Sequence, residues 1–253
     1  MTGALRALRP GDLARLAPLS SAAYFLDVDG TLLDIKPRPE NVVADLGLRA
    51  LLTELTAAAQ GALALVSGRK IEDLDRIFAP LIFPAAGLHG AEIRYADGSR
   101  MAPPDGTMDK VRQPLADFVA AHPALRLEDK GAALAVHFRQ APDLAEAVLT
   151  FVGALAERNG LFMQEGKMVA ELKDARHDKG KGVAALLAKP PFLGRMPVFI
   201  GDDMTDENGF SFVNAQGGIS VRAGPTLAAT QARYELRDPG DVRMELQRLL
   251  VSA

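Results

Sequence analysis

Asp27-Val28-Asp29-Gly30-Thr31 closes the apolar run Ala22–Val28 with two carboxylates, a glycine and a hydroxyl in five positions. Side chains alternate along a strand, but where a strand enters a loop two carboxylates spaced by two can converge on one pocket. Two acids in a largely buried site are costly unless a cation or a shared proton compensates. Mg²⁺ suits such a pair, since it prefers hard oxygen ligands and bridges to phosphate oxygens. The chemistry this allows is phosphoryl transfer in two steps. One carboxylate attacks phosphorus to form an acyl phosphate, and the other protonates the leaving alcohol and later activates water. Gly30 lets the backbone bend close to a phosphate, and Thr31 offers a hydroxyl and an N–H. Taken alone, Asp-x-Asp-Gly is equally a turn. A calcium loop needs further oxygen ligands that Thr31, Leu32 and Leu33 do not supply.

Further segments point to the same chemistry. Ser67-Gly68-Arg69 ends a second apolar run, Ala62–Val66, and can hold a phosphoryl oxygen with its hydroxyl and loop N–H groups. Lys179-Gly180-Lys181-Gly182 opens a helix, where a lysine and the helix N-terminus both favour an anion. Gly201-Asp202-Asp203-Met204-Thr205-Asp206-Glu207 follows the apolar Val198–Ile200. Asp202 and Asp203 stand at that strand tip, while Asp206 and Glu207 can also cap the following helix. Each segment singly has an ordinary reading as a loop or a solvated helix start. Their shared placement at strand tips and a helix start is what argues for a site.

Strand and helix patterns alternate around these segments. Strands are expected at Ala22–Val28, Ala62–Val66, Leu81–Ala86 and Pro197–Ile200, and helices within Val42–Ala59, over 70–79 and from Lys181 to Ala188. Apolar strands alternating with amphipathic helices make an α/β domain with a parallel sheet, whose ligands bind at the carboxyl ends of the strands. Residues 1–20 read as a short helical or loose leader. The rhythm changes after about residue 107. A helix over 110–121, strands at Leu125–Glu128 and Ala132–Arg139, a helix over 142–158 and strands at Leu161–Gln164 and Met168–Leu172 make an α+β unit with hairpins. The expected organisation is a split core, 1–107 and 180–253, with 108–179 inserted as a cap. Pro37, Pro39 and the Met101–Gly106 break would lie near the cap's entrance or hinge.

In this order, Asp27-x-Asp29-Gly30-Thr31, Ser67-Gly68-Arg69, Lys181 and Gly201-Asp202-Asp203 resemble the haloacid dehalogenase superfamily of phosphatases. The resemblance implies a Rossmann-like core, Mg²⁺, Asp27 as nucleophile and Asp29 as acid and base. It implies that Asp202 and the backbone carbonyl of Asp29 join Asp27 around the metal, with Asp203 and Asp206 supporting them, and that Ser67, Thr31, Gly68 and Arg69 hold phosphate. Lys179 and Lys181 compete for the phosphate lysine. The match of Lys181-Gly182-x-Ala184 to the superfamily's Lys-Gly-x-Ala favours Lys181.

Glu128-Asp129-Lys130-Gly131, His137-Phe138-Arg139, Gly166-Lys167-Met168-Val169-Ala170-Glu171 and Gly87-Leu88-His89-Gly90, with the Thr205-Asp206-Glu207 ending, resemble the trehalose-6-phosphate phosphatase family from about residue 22 to 225. A disaccharide presents many hydroxyls, and Glu128, Lys130, Arg139, Lys167 and Glu171 are charged groups able to read them. Each is equally a solvated charge on a sheet, and His137 and His89 read as structural. Gln140 departs from the family, which usually has Asn there.

Net charge is −3, which gives no basic surface for nucleic acid. The N-terminus carries Arg6, Arg9, Asp12 and Arg15 and no long apolar run, so neither a signal peptide nor a membrane span is expected. The chain is read as cytoplasmic and monomeric, with a small sugar phosphate as its partner. There is no cysteine, which excludes disulfides and thiolate chemistry, and the four histidines form no helical pair for zinc. Competing readings are a capped phosphatase for sucrose 6-phosphate or mannosylphosphoglycerate, a phosphomutase, or a non-catalytic phosphate-sensing module.

Overall fold

The computed structural model describes residues 5–36, 42–101, 106–166, 168–225 and 229–251. The chain divides into two compact units, residues 1–101 with 178–253, and residues 102–177. The joins expected from the sequence are at 107 and 179. Pro37, Pro39 and positions 102–105 of the expected hinge lie outside the described residues.

In the first unit the chain runs β1 (Arg6–Ala7), α1 (Asp12–Leu16), β2 (Ala22–Leu26), α2 (Leu46–Ala58), β3 (Leu63–Val66), α3 (Ile71–Phe78), β4 (Ala85–Gly87), β5 (Glu92–Arg94) and β6 (Arg100–Met101). The second unit contributes α4 (Asp109–Ala120), β7 (Arg126–Asp129), β8 (Ala133–His137), α5 (Ala145–Asn159), β9 (Phe162–Gly166) and β10 (Val169–Lys173). The first unit then resumes with α6 (Lys179–Leu187), β11 (Met196–Gly201), α7 (Glu207–Ala215), β12 (Ile219–Ala223), β13 (Tyr234–Leu236) and α8 (Pro239–Val251).

Among the described residues the first unit carries one sheet in the order β1-β13-β12-β11-β2-β3-β4-β5-β6. It is parallel from β1 to β4, and only β5 and β6 add antiparallel pairings at one edge. The middle strands β2 and β3 are buried along their whole length, as a parallel sheet covered on both faces requires. Helices present apolar residues at helical spacing: Leu48, Leu52 and Leu55 on α2, and Ile71, Leu74, Ile77 and Phe78 on α3. Each fully buried side chain of this size contributes roughly 1.5–3 kcal/mol. Asp45 caps α2, its carboxylate accepting from Leu48 N at 2.8 Å, which satisfies one of the amides that a helix start leaves unpaired.

The α/β core with an inserted α+β unit is the fold expected from the sequence, with one local correction. The leader takes the helical alternative at Asp12–Leu16, and its described part is anchored to the core. Arg6–Ala7 pairs with β13, and the amides of Gly11 and Leu13 donate to the buried carboxylate of Glu245 on α8. The strand expected over Leu81–Ala86 is confined to Ala85–Gly87, because Pro80 and Pro84 offer no N–H to a ladder.

In the second unit an antiparallel sheet, β7-β8-β10-β9, packs one face on α4 and α5 through Leu134, Val136, Ala170, Leu172, Val111, Leu115, Val148 and Val152. The alternate residues form the other face. Register places Glu128, Ala135, Glu171 and Gln164 in one row across it, and His137 beside Val169 in the next.

Candidate active site

β11, β2 and β3 are neighbours in the parallel sheet, so their carboxyl ends deliver Asp202, Asp27 and Ser67 to one edge. Asp27 lies just past β2 and is buried, its N–H donating to Ile200 O at 2.9 Å. The chain then turns sharply: Gly30 has φ 87°, and its N–H donates to Leu33 O at 2.7 Å. A Cβ on Gly30 would run into the Asp202 carboxylate, so glycine is required here by contact as well as by backbone conformation.

Thr31 is fully buried. Its hydroxyl donates to Asp27 Oδ2 at 3.1 Å and lies 3.3 Å from Asp202 Oδ1, which ties the first acidic loop to the last. The Arg69 guanidinium donates to both oxygens of Asp29, and the Ser67 hydroxyl accepts from Arg69 N at 3.2 Å. Gly68 lies between them.

The buried lysine of the site is Lys179. Its Nζ donates to Asp27 Oδ1 at 2.8 Å and to Asp206 Oδ1 at 2.6 Å. Asp206 is fully buried, and its other oxygen accepts from the amides of Asp202 and Asp203 at 3.0 Å each, so one carboxylate fixes both the lysine and the acidic loop. Asp203 closes the turn by accepting from Thr205 N at 2.7 Å.

The expectation for Lys181 is corrected. Its side chain is 57% exposed and pairs with Asp178 at 3.2 Å at the start of α6. Residues two apart on a helix point to nearly opposite sides. Lys179 shares the face of the buried Gly182, Val183 and Leu186, at i, i+3, i+4 and i+7, whereas Lys181 does not. That periodicity is present in the sequence and favours Lys179 over the motif match.

Electrostatics follow from burial. Asp27 is pushed up to about 8 by desolvation, which Lys179 opposes and Asp202 and Asp203 reinforce. Asp202 rises to about 7 by burial and by the neighbouring Asp206 and Asp203. Asp203 is exposed; partial desolvation of its carboxyl works in the same direction, but the Lys179 charge and the Thr205 hydrogen bonds outweigh it and bring Asp203 to about 2. Burial also opposes the Lys179 charge, yet Asp206 and Asp27 hold the ammonium well above its usual range.

Oxygens of Asp27, Asp202 and Asp206 lie within 4.8 Å of one another. An all-carboxylate donor set whose acids resist ionising unaided is the chemistry that a hard divalent cation satisfies. Within it, Asp206 is the most heavily engaged by protein donors.

In the second unit, the Glu128 carboxylate bonds His137 Nε2 at 2.8 Å, and Lys130 Nζ donates to Glu171 Oε1 at 2.9 Å. Both pairs lie on the sheet face away from α4 and α5. The His137 hydrogen bond holds Glu128 below the usual carboxylate range, against the effect of burial. Arg139 is exposed just beyond β8, and Lys167 lies outside the described residues.

Carboxylates, a buried lysine and hydroxyls gathered at the strand tips of a doubly wound sheet, in a chain that also carries an inserted α+β unit, define a phosphatase fold of the haloacid dehalogenase superfamily. The profile described as Trehalose-phosphatase matches residues 25–240, and the chain belongs to that family. It is 42% identical over 223 residues to "Trehalose-6-phosphate phosphatase" of Escherichia coli (strain K12), covering 87% of this chain and 83% of that one. It is 43% identical over 217 residues to "Probable trehalose-phosphate phosphatase" of Sinorhizobium fredii, covering 85% and 82%. The C-terminal domain of C. albicans trehalose-6-phosphate phosphatase shares the fold, with TM-score 0.85 at 22% identity over 99% of both chains.

Proposed function

We propose that this chain hydrolyses trehalose 6-phosphate to trehalose and inorganic phosphate, with Asp27 as nucleophile. The observation that carries the reading is the buried set Asp27, Thr31 and Lys179 with the half-buried Asp202 at the strand tips, in a member of the trehalose-phosphatase family.

In the first step an Asp27 oxygen attacks phosphorus while the bond from phosphorus to the sugar O6 breaks, and Asp29 gives its proton to O6. In the second, Asp29 takes a proton from water as that water attacks the aspartyl phosphate, and the bond from phosphorus to Asp27 breaks to release phosphate. Lys179 places a positive charge on the Asp27 carboxylate at the start of α6, where the helix N-terminus also favours an anion. Ser67, Thr31 and the Gly68–Arg69 amides supply donors for phosphoryl oxygens. Mg²⁺ held by Asp27, Asp202 and the Asp29 carbonyl would lower the Asp27 pKa and neutralise phosphate charge.

The inserted unit acts as the cap. On the sheet face away from α4 and α5, Glu128, Lys130 and Glu171, already ion-paired or hydrogen-bonded, are the groups for sugar hydroxyls, with Arg139 and Lys167 as further contacts. With the reading go the expectations of a monomeric, cytoplasmic enzyme. No described helix is long and apolar enough to cross a membrane.

The test is phosphate release from trehalose 6-phosphate, sucrose 6-phosphate and glucose 6-phosphate, in Mg²⁺ and in EDTA, for wild type and Asp27→Asn. Metal-dependent release from the trehalose ester alone, lost in the variant, is expected. Preferential release from another ester overturns the substrate, and full activity in Asp27→Asn overturns the nucleophile.

A further inference from the structure

His89 belongs to a turn whose backbone is strained for its residue types. Leu88 has φ 48° and His89 has φ 55°. Both lie in a left-handed region that side chains other than glycine rarely adopt, least of all two in a row. Such conformations persist where the surroundings over-determine them. Here both amides are directed at the second strand-tip loop: Leu88 N donates to Arg69 O at 2.9 Å and His89 N to Ser67 O at 3.0 Å. On its other side the turn abuts the start of α6, where a Cβ on Gly90 would stand 2.5 Å from Asp178 O. The turn therefore joins the Ser67–Arg69 loop to the helix end that carries Lys179.

The imidazole adds a contact that the backbone alone does not explain. The ring is buried, and a Cβ on Gly68 would meet its Cε1 at 2.6 Å and its Nε2 at 2.7 Å. The ring edge thus occupies the space in which a side chain at 68 would sit. A smaller residue at 89 would leave the Gly68 peptide without support on that side.

We infer that His89 is a positioning residue: its ring, wedged against Gly68 by the left-handed turn, sets the place of the Gly68–Arg69 amides that receive phosphate. The inference rests on the proposed phosphatase reading and adds to it a residue that does not itself touch the reacting atoms. It makes glycine at 68 and histidine at 89 complementary partners, so that each constrains the other.

The two roles, relief of backbone strain and support by the ring, come apart in His89→Asn. Asparagine tolerates the left-handed region better but is too short to reach Gly68. The melting temperature of His89→Asn is expected at or above that of wild type, while KM for the hydrolysed ester and the inhibition constant of inorganic phosphate rise about tenfold. Gly68→Ala alone is expected to be destabilised and to bind phosphate weakly, because its methyl meets the ring. In the double variant the methyl enters the space vacated by the ring, so both stability and phosphate inhibition recover relative to Gly68→Ala. Unchanged phosphate inhibition in His89→Asn, or strictly additive effects in the double variant, overturns the inference. The melting-temperature arm of this cycle reads the His89–Gly68 contact even if wild type hydrolyses none of the esters, an outcome that sinks the functional reading instead.

Discussion

The guanidinium of Arg69 grips the carboxylate of Asp29 through two parallel bonds, Nε to Oδ2 at 2.6 Å and Nη2 to Oδ1 at 2.7 Å. This fork joins the first acidic loop to the second strand-tip loop and gives the proposed acid and base a fixed resting orientation. A flat guanidinium does this where an ammonium does not, because only the fork engages both oxygens at once. Arg69→Lys keeps the charge and loses the second bond. Its kcat is expected to fall about tenfold, an effect of about 1.4 kcal/mol, with little change in melting temperature. A kcat equal to wild type in steady-state phosphate release would show that the fork orients nothing of consequence.

The two lysines of α6 separate cleanly. Lys179→Ala leaves Asp27 and Asp206 buried without their cation. Breaking a buried pair in this way costs roughly 3–5 kcal/mol of stability. Lys181→Ala removes one exposed pair with Asp178. An exposed helix pair of that kind contributes about 0.5 kcal/mol at most. Urea unfolding and kcat measured on both variants decide the matter. Loss of activity in Lys181→Ala with retention in Lys179→Ala would reverse the assignment made from the geometry.

Gly30 is fixed by conformation and by contact. In Gly30→Ala the new methyl must displace the Asp202 carboxylate, and the left-handed backbone there resists any L side chain. The variant is expected to lose at least about 1 kcal/mol of stability. More tellingly, it should need a higher Mg²⁺ concentration for half-maximal thermal stabilisation. A Mg²⁺ titration that superimposes on that of wild type would remove Asp202 from the metal site.

Glu128 gives a pH prediction. Its folded pKa is depressed, chiefly by the His137 hydrogen bond, so the interaction is present above the ordinary carboxylate range and is lost as pH falls through the folded value. In His137→Ala the Glu128 pKa returns upward and the carboxylate protonates at a higher pH. KM for trehalose 6-phosphate should then rise steeply between about pH 5 and pH 4 in the variant, ahead of wild type, while the pH profile of kcat for a small aryl phosphate is the same in both proteins. Parallel KM profiles for the two proteins would take Glu128 out of sugar recognition.

The parallel α/β core, the inserted α+β unit and the polar residues at the strand tips were legible in residue order alone, and the cause is burial. Buried parallel strands must be apolar throughout, so Asp27, Ser67 and Asp202 stand out as the first charged or hydroxyl side chains after such runs. The short edge strands β5 and β6 left no comparable trace, being brief and antiparallel. Lys179 was legible only where helical periodicity is weighed above motif spacing, since it shares the buried face of α6 with Gly182 and Val183. Which charges meet across space was not legible at all. Arg69 with Asp29, Lys179 with Asp206, Glu128 with His137 and Lys130 with Glu171 are pairings of residues brought together by sheet order and strand register. The imidazole of His89 filling the place of a side chain at Gly68 belongs to the same category. Local sequence sets which residues are polar and where strands end, but contacts between distant segments depend on the packing of the whole sheet and exist only once it has formed.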